Sequence, residues 1–302
     1  MKRISNDRGQ AAVMTVMFLA TLLGAVAMVL DVGSWFREQR DTQSDADAAA
    51  LASAQALPDD VGEASALASQ YLDKNVAGTG REISFSSANG PNDTVTVKVH
   101  RQAPGIFSKL FGINSVQVHA SATARVGGLD SARYAAPIAV DIKHPLLQCK
   151  PLPCYGVATT LDLQKTGPGA FRLLNLDSSK GGTGGAIDAD WILRGYDGYM
   201  PLDWYGSDPG AAFNDSKFDE ALNIRIGDEL LFPVYDKVRG GGSNFDYHVV
   251  GWVGFIVTSF DPKGSKSTVD GHFVRVLWEG IQSKSGGGGA EDFGTRTIQL
   301  VE

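Results

Sequence analysis

The first residues whose types and spacing could do chemistry are Cys149 and Cys154, the only two cysteines, with Pro151 and Pro153 between them. Proline fixes φ, so the CKPLPC loop samples few conformations and holds the two thiols near bonding distance. A disulfide there persists outside a reducing cytoplasm and stabilises so short a loop by about 2 kcal/mol in the chain-entropy description. Two other readings stand beside it. His144, Cys149 and Cys154 are equally spaced, as in a metal set, but structural zinc takes four ligands from paired knuckles and no second cysteine pair exists. Free buried thiols are the third reading. His100, His119, His248 and His272 are scattered, and His100 and His119 fall in alternating patterns that read as strand surface. Asp188, Asp190, Asp197, Asp203 and Asp208 crowd one stretch without EF-hand spacing, so they read as solvated loop carboxylates. Trp191, Tyr196, Tyr199, Trp204 and Tyr205 in the same stretch read as core or as a contact surface.

Catalytic motifs do not emerge. GGTGGAID (Gly181–Asp188) lacks the third glycine of a dinucleotide loop, since Ile187 occupies that position, and it reads as a loop. DPKGSKST (Asp261–Thr268) lacks the glycine that opens a phosphate-binding loop, and neither G-x-S-x-G nor H-E-x-x-H occurs. The net charge of −7 without a basic stripe argues against a nucleic-acid partner. These observations predict a protein that is not an enzyme and has no cofactor, metal or small-molecule substrate. An anchored hydrolase whose residues meet only in the fold, or a surface-binding module, are the alternatives.

The compartment is legible at the N-terminus. Ala11 to Leu30 form 20 consecutive residues without a charge, interrupted only by Thr15 and Thr21. At about 1.5 Å per residue this spans the roughly 30 Å core of a bilayer. Lys2, Arg3 and Arg8 precede the run and Asp31 follows it, which places the leader (residues 1–10) in the cytoplasm and the bulk outside, although Arg37 and Arg40 follow on the far side. Ala25-Val26-Ala27 resembles a signal-peptidase site, but the run exceeds a signal core, so a retained single-pass anchor is expected.

Beyond Asp31, residues 31–57 are helix-prone, with seven alanines between Asp45 and Leu57 and a stop at Pro58. Small side chains admit close helix packing, against neighbouring subunits or the chain's own domain; a solvated alanine helix is the competing reading. Residues 58–127 predict a small α/β module: a helix over Asp59–Val76, strands over Glu82–Ser86 and Thr94–His100, a short helix over Pro104–Ile113 and a strand over Ser115–Val126. Val95, Val97 and Val99 are expected inward. GGLDS (Gly127–Ser131) reads as a joint. Residues 135–302 read as a β-rich, possibly barrel-like domain with one helix over Asp215–Ile226 and glycine loops at Gly181–Gly185, Gly240–Gly242 and Gly286–Gly289. The fold class is therefore α+β.

The stretch from Arg8 to Leu57 resembles the TadE/TadG-like family of the tight-adherence (Flp/Tad) pilus assembly system. RGQAAV, the apolar run, Asp31-Val32-Gly33 and DTQSDADAAALASA carry the resemblance, Asp45 and Asp47 before AAALA most specifically. FSKLFGINSVQVHASATARV (Phe107–Val126) is similar to the family's extracytoplasmic module, and PGAFRLLNLD, DWILRGYDGYM and RIGDELLFPVYD to the tails of longer members. The resemblance implies a membrane-anchored pilin-like or assembly component that acts by association with other pilus subunits. A basic leader ending at Gly9 suggests prepilin-type cleavage, but Met14 stands where prepilins carry glutamate. The D-x-S-x-S metal motif of some TadG-type members is absent from the sequence.

Overall fold

The computed structural model describes residues 7–75, 80–150, 153–162, 171–177, 184–207, 216–241, 244–263, 266–282 and 292–301. Pro151, Gly181, Gly182, Asp208, Asp215, Gly242 and the glycines 286–289 lie outside them. The chain is mixed α+β and divides into two compact units, the second holding residues 126–299 and the turn 87–93.

In the first unit, helix α1 runs unbroken from Asp7 to Ala54, so Gly33 costs helix propensity without interrupting the rod. Its segment Gly9–Ala54 is long and apolar enough to cross a membrane. Large side chains from Val13 to Leu30 are exposed all round, including Phe18, Leu23, Met28 and Val29. The two hydroxyls in this stretch leave no polar group free: Thr15 and Thr21 donate to the Ala11 and Met17 carbonyls, each at 2.9 Å. That is what hydrocarbon demands of a spanning helix.

The far half of α1 buries its alanines. Ala46, Ala49, Ala50 and Ala54 are fully buried, and α1 packs on helix α2 (Val61–Asn75), whose Ala64, Ala68 and Leu72 are buried at helical spacing. Ser53 donates its hydroxyl to the Ala64 carbonyl at 2.8 Å across the interface. The alanine stripe thus packs against its own domain, and the reading as a solvated helix is overturned by the burial of these alanines.

Strands β1 (Gly80–Ser86), β2 (Thr94–Pro104) and β3 (Ser115–Gly127) form an antiparallel meander. Val95, Val97 and Val99 are fully buried as expected, each facing a small residue across the ladder: Ala124, Ala122 and Ala120. The expected helix over Pro104–Ile113 is only a 3-10 turn at Ser108–Phe111. Pro104 ends β2, and Gly112 closes the turn in the left-handed conformation at φ 81°.

The second unit is strand-rich around a curled, half-barrel sheet. Its strands are β4 (Leu129–Ala132), β5 (Ile138–Asp141), β6 (Ala158–Asp162), β7 (Phe171–Leu173), β8 (Met200–Pro201), β9 (Trp204–Gly206), β10 (Glu229–Gly241), β11 (Asn244–Asp261), β12 (Thr268–Val274), β13 (Val276–Leu277), β14 (Gly280–Gln282) and β15 (Thr295–Val301). The main sheet has the order β6-β12-β11-β10-β5-β7, with β9 added to β11, and β14-β4-β8 form a smaller sheet. Both faces of the main sheet are covered. Ile138, Val140, Phe232 and Val234 face one cluster with Phe218, Phe255 and Phe273, while Ala139, Leu231 and Tyr235 face another with Trp252 and Tyr247. Strands buried on both faces read as continuous apolar runs, and all four residues of β5 are buried. Gly271 is required by packing, since a Cβ there would lie 2.4 Å from the Phe255 ring and 2.1 Å from the Ile256 carbonyl oxygen.

The joint expected at Gly127–Ser131 lies beside the division between the two units, which falls after Arg125, and β4 begins at Leu129 with Leu129 and Ala132 fully buried. One expectation fails here. The glycine loop ending at Asp188 gives way at Gly185 to helix α3 (Gly185–Arg194), which packs on α4 (Ser216–Ile224). Asp188 is fully buried rather than solvated. Glycine-dominated composition hid a helix whose apolar face is short.

Substituting Ala50→Leu should overpack the α1–α2 interface and cost about 1–3 kcal/mol, read as a lowered urea midpoint. An unchanged midpoint would show that the interface is not close-packed.

Candidate functional site: the helix end and its docked loop

Among the described residues, one convergence of polar groups lies in the first unit, where the apolar run ends. Asp31 is 2% exposed. Its carboxylate accepts the backbone amides of Ile106 (2.9 Å), Phe107 (3.1 Å to each oxygen) and Ser108 (2.5 Å). Gly105 allows the approach: a Cβ there would fall 2.0 Å from the Ser108 hydroxyl and 2.8 Å from the Ile113 carbonyl oxygen. Burial works to raise the Asp31 pKa, but hydrogen bonds from Ser108, Phe107 and Ile106 outweigh it and hold the carboxyl down at about 2.

The same helix face continues in steps of four residues. Trp35 Nε1 donates to the Pro104 carbonyl (3.3 Å), Gln39 to that of His119 (2.5 Å), and Gln43 to that of Ser121 (3.1 Å) and to Asp47 (2.7 Å). Beside this row Arg101 of β2 bridges Glu38 at 2.7 Å and Asp45 at 2.8 Å, all three side chains less than a third exposed. Asp45 and Asp47 thus serve different ends. One pairs with a cation on the sheet and the other orients a glutamine on its own helix. The row Asp31, Trp35, Gln39, Gln43 has i, i+4 spacing in the sequence, but only Trp35 of the four is apolar, so no hydrophobic periodicity marks it.

The matched segment can now be set against this geometry. Residues 9–56 match the family model Tad, described as "Putative Flp pilus-assembly TadE/G-like". The N-terminal segment is TadE/G-like. The match takes in the membrane-length helix, the polar row and the alanine stripe, and it ends before α2. No curated protein and no solved structure matches the chain.

In the second unit Cys149 and Cys154 form a disulfide, their Cα atoms 5.6 Å apart, so the pair holds no metal with His144. His144 Nδ1 accepts the Leu146 amide at 3.2 Å, which leaves the proton on Nε2, 3.2 Å from the Thr159 hydroxyl. The ring therefore donates to threonine, the reverse of what activates a nucleophile. Burial lowers the His144 pKa against an opposing pull from Asp141, and the ring meets Phe273 edge-on at 5.0 Å. His248 meets Asp236 at 2.6 Å and lies against Trp204, which also carries Arg239 on its face at 4.2 Å. Among the described residues no hydroxyl or thiol reaches the other nitrogen of His248. His100 and His119 face each other across β2 and β3.

The acids of the Gly/Tyr/Trp stretch scatter as well. Asp190 pairs with Arg194, Asp197 with Arg133, and Asp203 accepts the Trp204 amide. Of the aromatics there, Trp191 and Tyr205 are core while Tyr199 is half exposed. Among the described residues no three His, Cys, Asp or Glu side chains are grouped to hold a metal ion.

Two outcomes follow. The depressed Asp31 pKa contributes stability that is complete above its ordinary value of 3.8 and lost as pH falls towards about 2. Asp31→Ala should release the loop, so that trypsin in detergent solution cuts after Lys109 much faster than in the parent, and should flatten the acid loss between those pH values. Equal cutting rates would show that Asp31 does not hold the loop. For His144 the folded pKa lies below the ordinary 6.5, so its contribution is present above that pH and lost as pH falls through the folded value. His144→Asn should shrink the drop in thermal midpoint between pH 7 and 5 relative to the parent, and an identical drop would count against a neutral buried ring.

Proposed function

We propose that this protein is a single-pass membrane component of a Flp (Tad) pilus that acts by association with other pilin or assembly subunits outside the cytoplasm. The observation that carries it is the coincidence of the Tad match over residues 9–56 with a helix that is bare and apolar in its first half and packed into a domain in its second. Ala11 and Leu30 bound the spanning segment, and Asp31 marks its outer edge. Lys2, Arg3 and Arg8 ahead of the segment support a cytoplasmic leader, and the disulfide supports an oxidising location for the bulk. Cleavage at Gly9 is not part of the proposal, because Met14 replaces the glutamate that such processing expects. The net charge of −7 without a basic stripe argues against nucleic acid as a partner.

Deletion of the gene should abolish surface pili and adhesion, with both restored by the full chain supplied in trans. The full chain should stay in the membrane pellet after carbonate washing, and both thiols should resist alkylation until reductant is added. Normal piliation in the deletion strain would overturn the role, and two thiols that label without reductant would overturn the location.

A further inference from the structure

The loop that Asp31 holds is apolar on its outer side. Leu110 is 83% exposed, Phe111 79% and Ile106 59%, on a stretch of few residues that supplies no core of its own. Isolated exposed hydrophobics are ordinary, whereas several large ones on one loop mark a contact surface. The loop faces α1 across an apolar cavity of about 530 Å³ lined by Gly24, Ala27, Met28, Phe107, Phe111 and Ile113. Gly24, Ala27 and Met28 belong to the predicted spanning segment. Gly24 lies seven residues before Asp31, about 10 Å down the helix axis. The loop therefore reaches back from the helix end to the level of residues that lipid would surround.

Its backbone is suited to that place. A non-helical segment enters a low-dielectric layer only when its amides and carbonyls are satisfied internally. Here the amides of Ile106, Phe107 and Ser108 go to Asp31. Those of Gly105, Leu110, Gly112 and Ile113 go to the carbonyls of Asn114, Phe107, Lys109 and Ser108, at 2.9 to 3.1 Å. The single charge among the exposed residues, Lys109, has an aliphatic stem long enough to leave its ammonium among headgroups.

We infer that the loop Gly105–Ile113 is a second membrane-contacting element, inserting Ile106, Leu110 and Phe111 among phospholipid acyl chains beside the spanning helix. Lipid is the occupant because the loop's apolar side is continuous with the bare face of α1, on which Met28 and Val29 are 70% and 71% exposed. The inference rests on the single-pass anchor reading and deepens it. The loop would fix the depth and rotation of α1, as interfacial anchors do.

The test uses the full chain in vesicles of phosphatidylcholine and phosphatidylglycerol, with a spin label on Leu110→Cys, Leu19→Cys or Ser86→Cys and the native disulfide confirmed intact by mass. Position 86 ends β1 opposite Thr94, ten residues along β2 from Pro104, and serves as the aqueous reference. Collision rates with oxygen, which partitions into lipid, and with a water-soluble nickel chelate are compared. The expected result is an oxygen-to-nickel ratio several-fold higher at 110 than at 86, approaching that at 19. A ratio at 110 equal to that at 86, with 19 in lipid, overturns the inference and leaves the anchor standing. An aqueous ratio at 19 overturns both. A label at 110 shielded from both reagents, with spin–spin broadening in the vesicle, would place a second copy of the chain on the loop and overturn the lipid assignment.

Discussion

A carboxylate at the end of a 20-residue apolar helix must find hydrogen-bond donors or remain in water. Asp31 finds them in three consecutive backbone amides contributed by a loop some 75 residues later in the chain. The arrangement resolves two costs at once. The loop's amides lack partners because its chain turns too tightly for a ladder, and the carboxylate lacks partners because its neighbours are apolar. Each supplies what the other needs, with charge-assisted bonds that are stronger than neutral ones. This contact holds the loop against the helix end, and the bonds from Trp35, Gln39 and Gln43 carry the strands on along the helix.

From that point α1 changes character without changing conformation. Before Asp31 it is apolar around its whole circumference, which a soluble helix avoids and a spanning helix requires. From Asp31 to Asp47 it presents a polar row whose amide and indole donors reach carbonyls of β2 and β3, while Glu38 and Asp45 clasp Arg101. Further on it is alanine, so that α2 can approach closely. A single rigid rod transmits the orientation of the buried half to the bare half. A flexible link at Gly33 would have lost that, and the helix runs through Gly33 intact. The TadE/G-like match covers just this rod.

What the sequence disclosed and what it hid divide along a physical line. Continuous or periodic apolar patterns were legible: the spanning run, the alternation of Val95, Val97 and Val99, and the short strands of the second unit. Interactions built from polar residues far apart in sequence were not. Nothing local in DVGSW announces that Asp31 will receive the amides of residues 106–108, because backbone donors carry no residue signature. The alanine stripe was readable as a stripe, but its partner was not, since small residues pack equally well on another subunit. The helix Gly185–Arg194 was obscured by the glycines before it, although Ala189 and Ile192 at i, i+3 mark its buried face.

The second unit spends its polar chemistry on architecture. Its buried imidazole accepts from a backbone amide and donates to a threonine, so its tautomer is fixed by structure and leaves no free lone pair for proton transfer. The pair His248–Asp236 is sandwiched with Trp204 and Arg239 across strands β9, β10 and β11, where it ties a short strand to the sheet. Arg133 is likewise held between Asp197 and Glu279 and lies against Tyr134 and Tyr199. These side chains are each held by a neighbour that the fold needs. Large exposed hydrophobics gather on the bare helix and on the loop beside it. Apolar surface of that kind lowers its free energy only by leaving water, and a bilayer is the environment that a helix of this length fits.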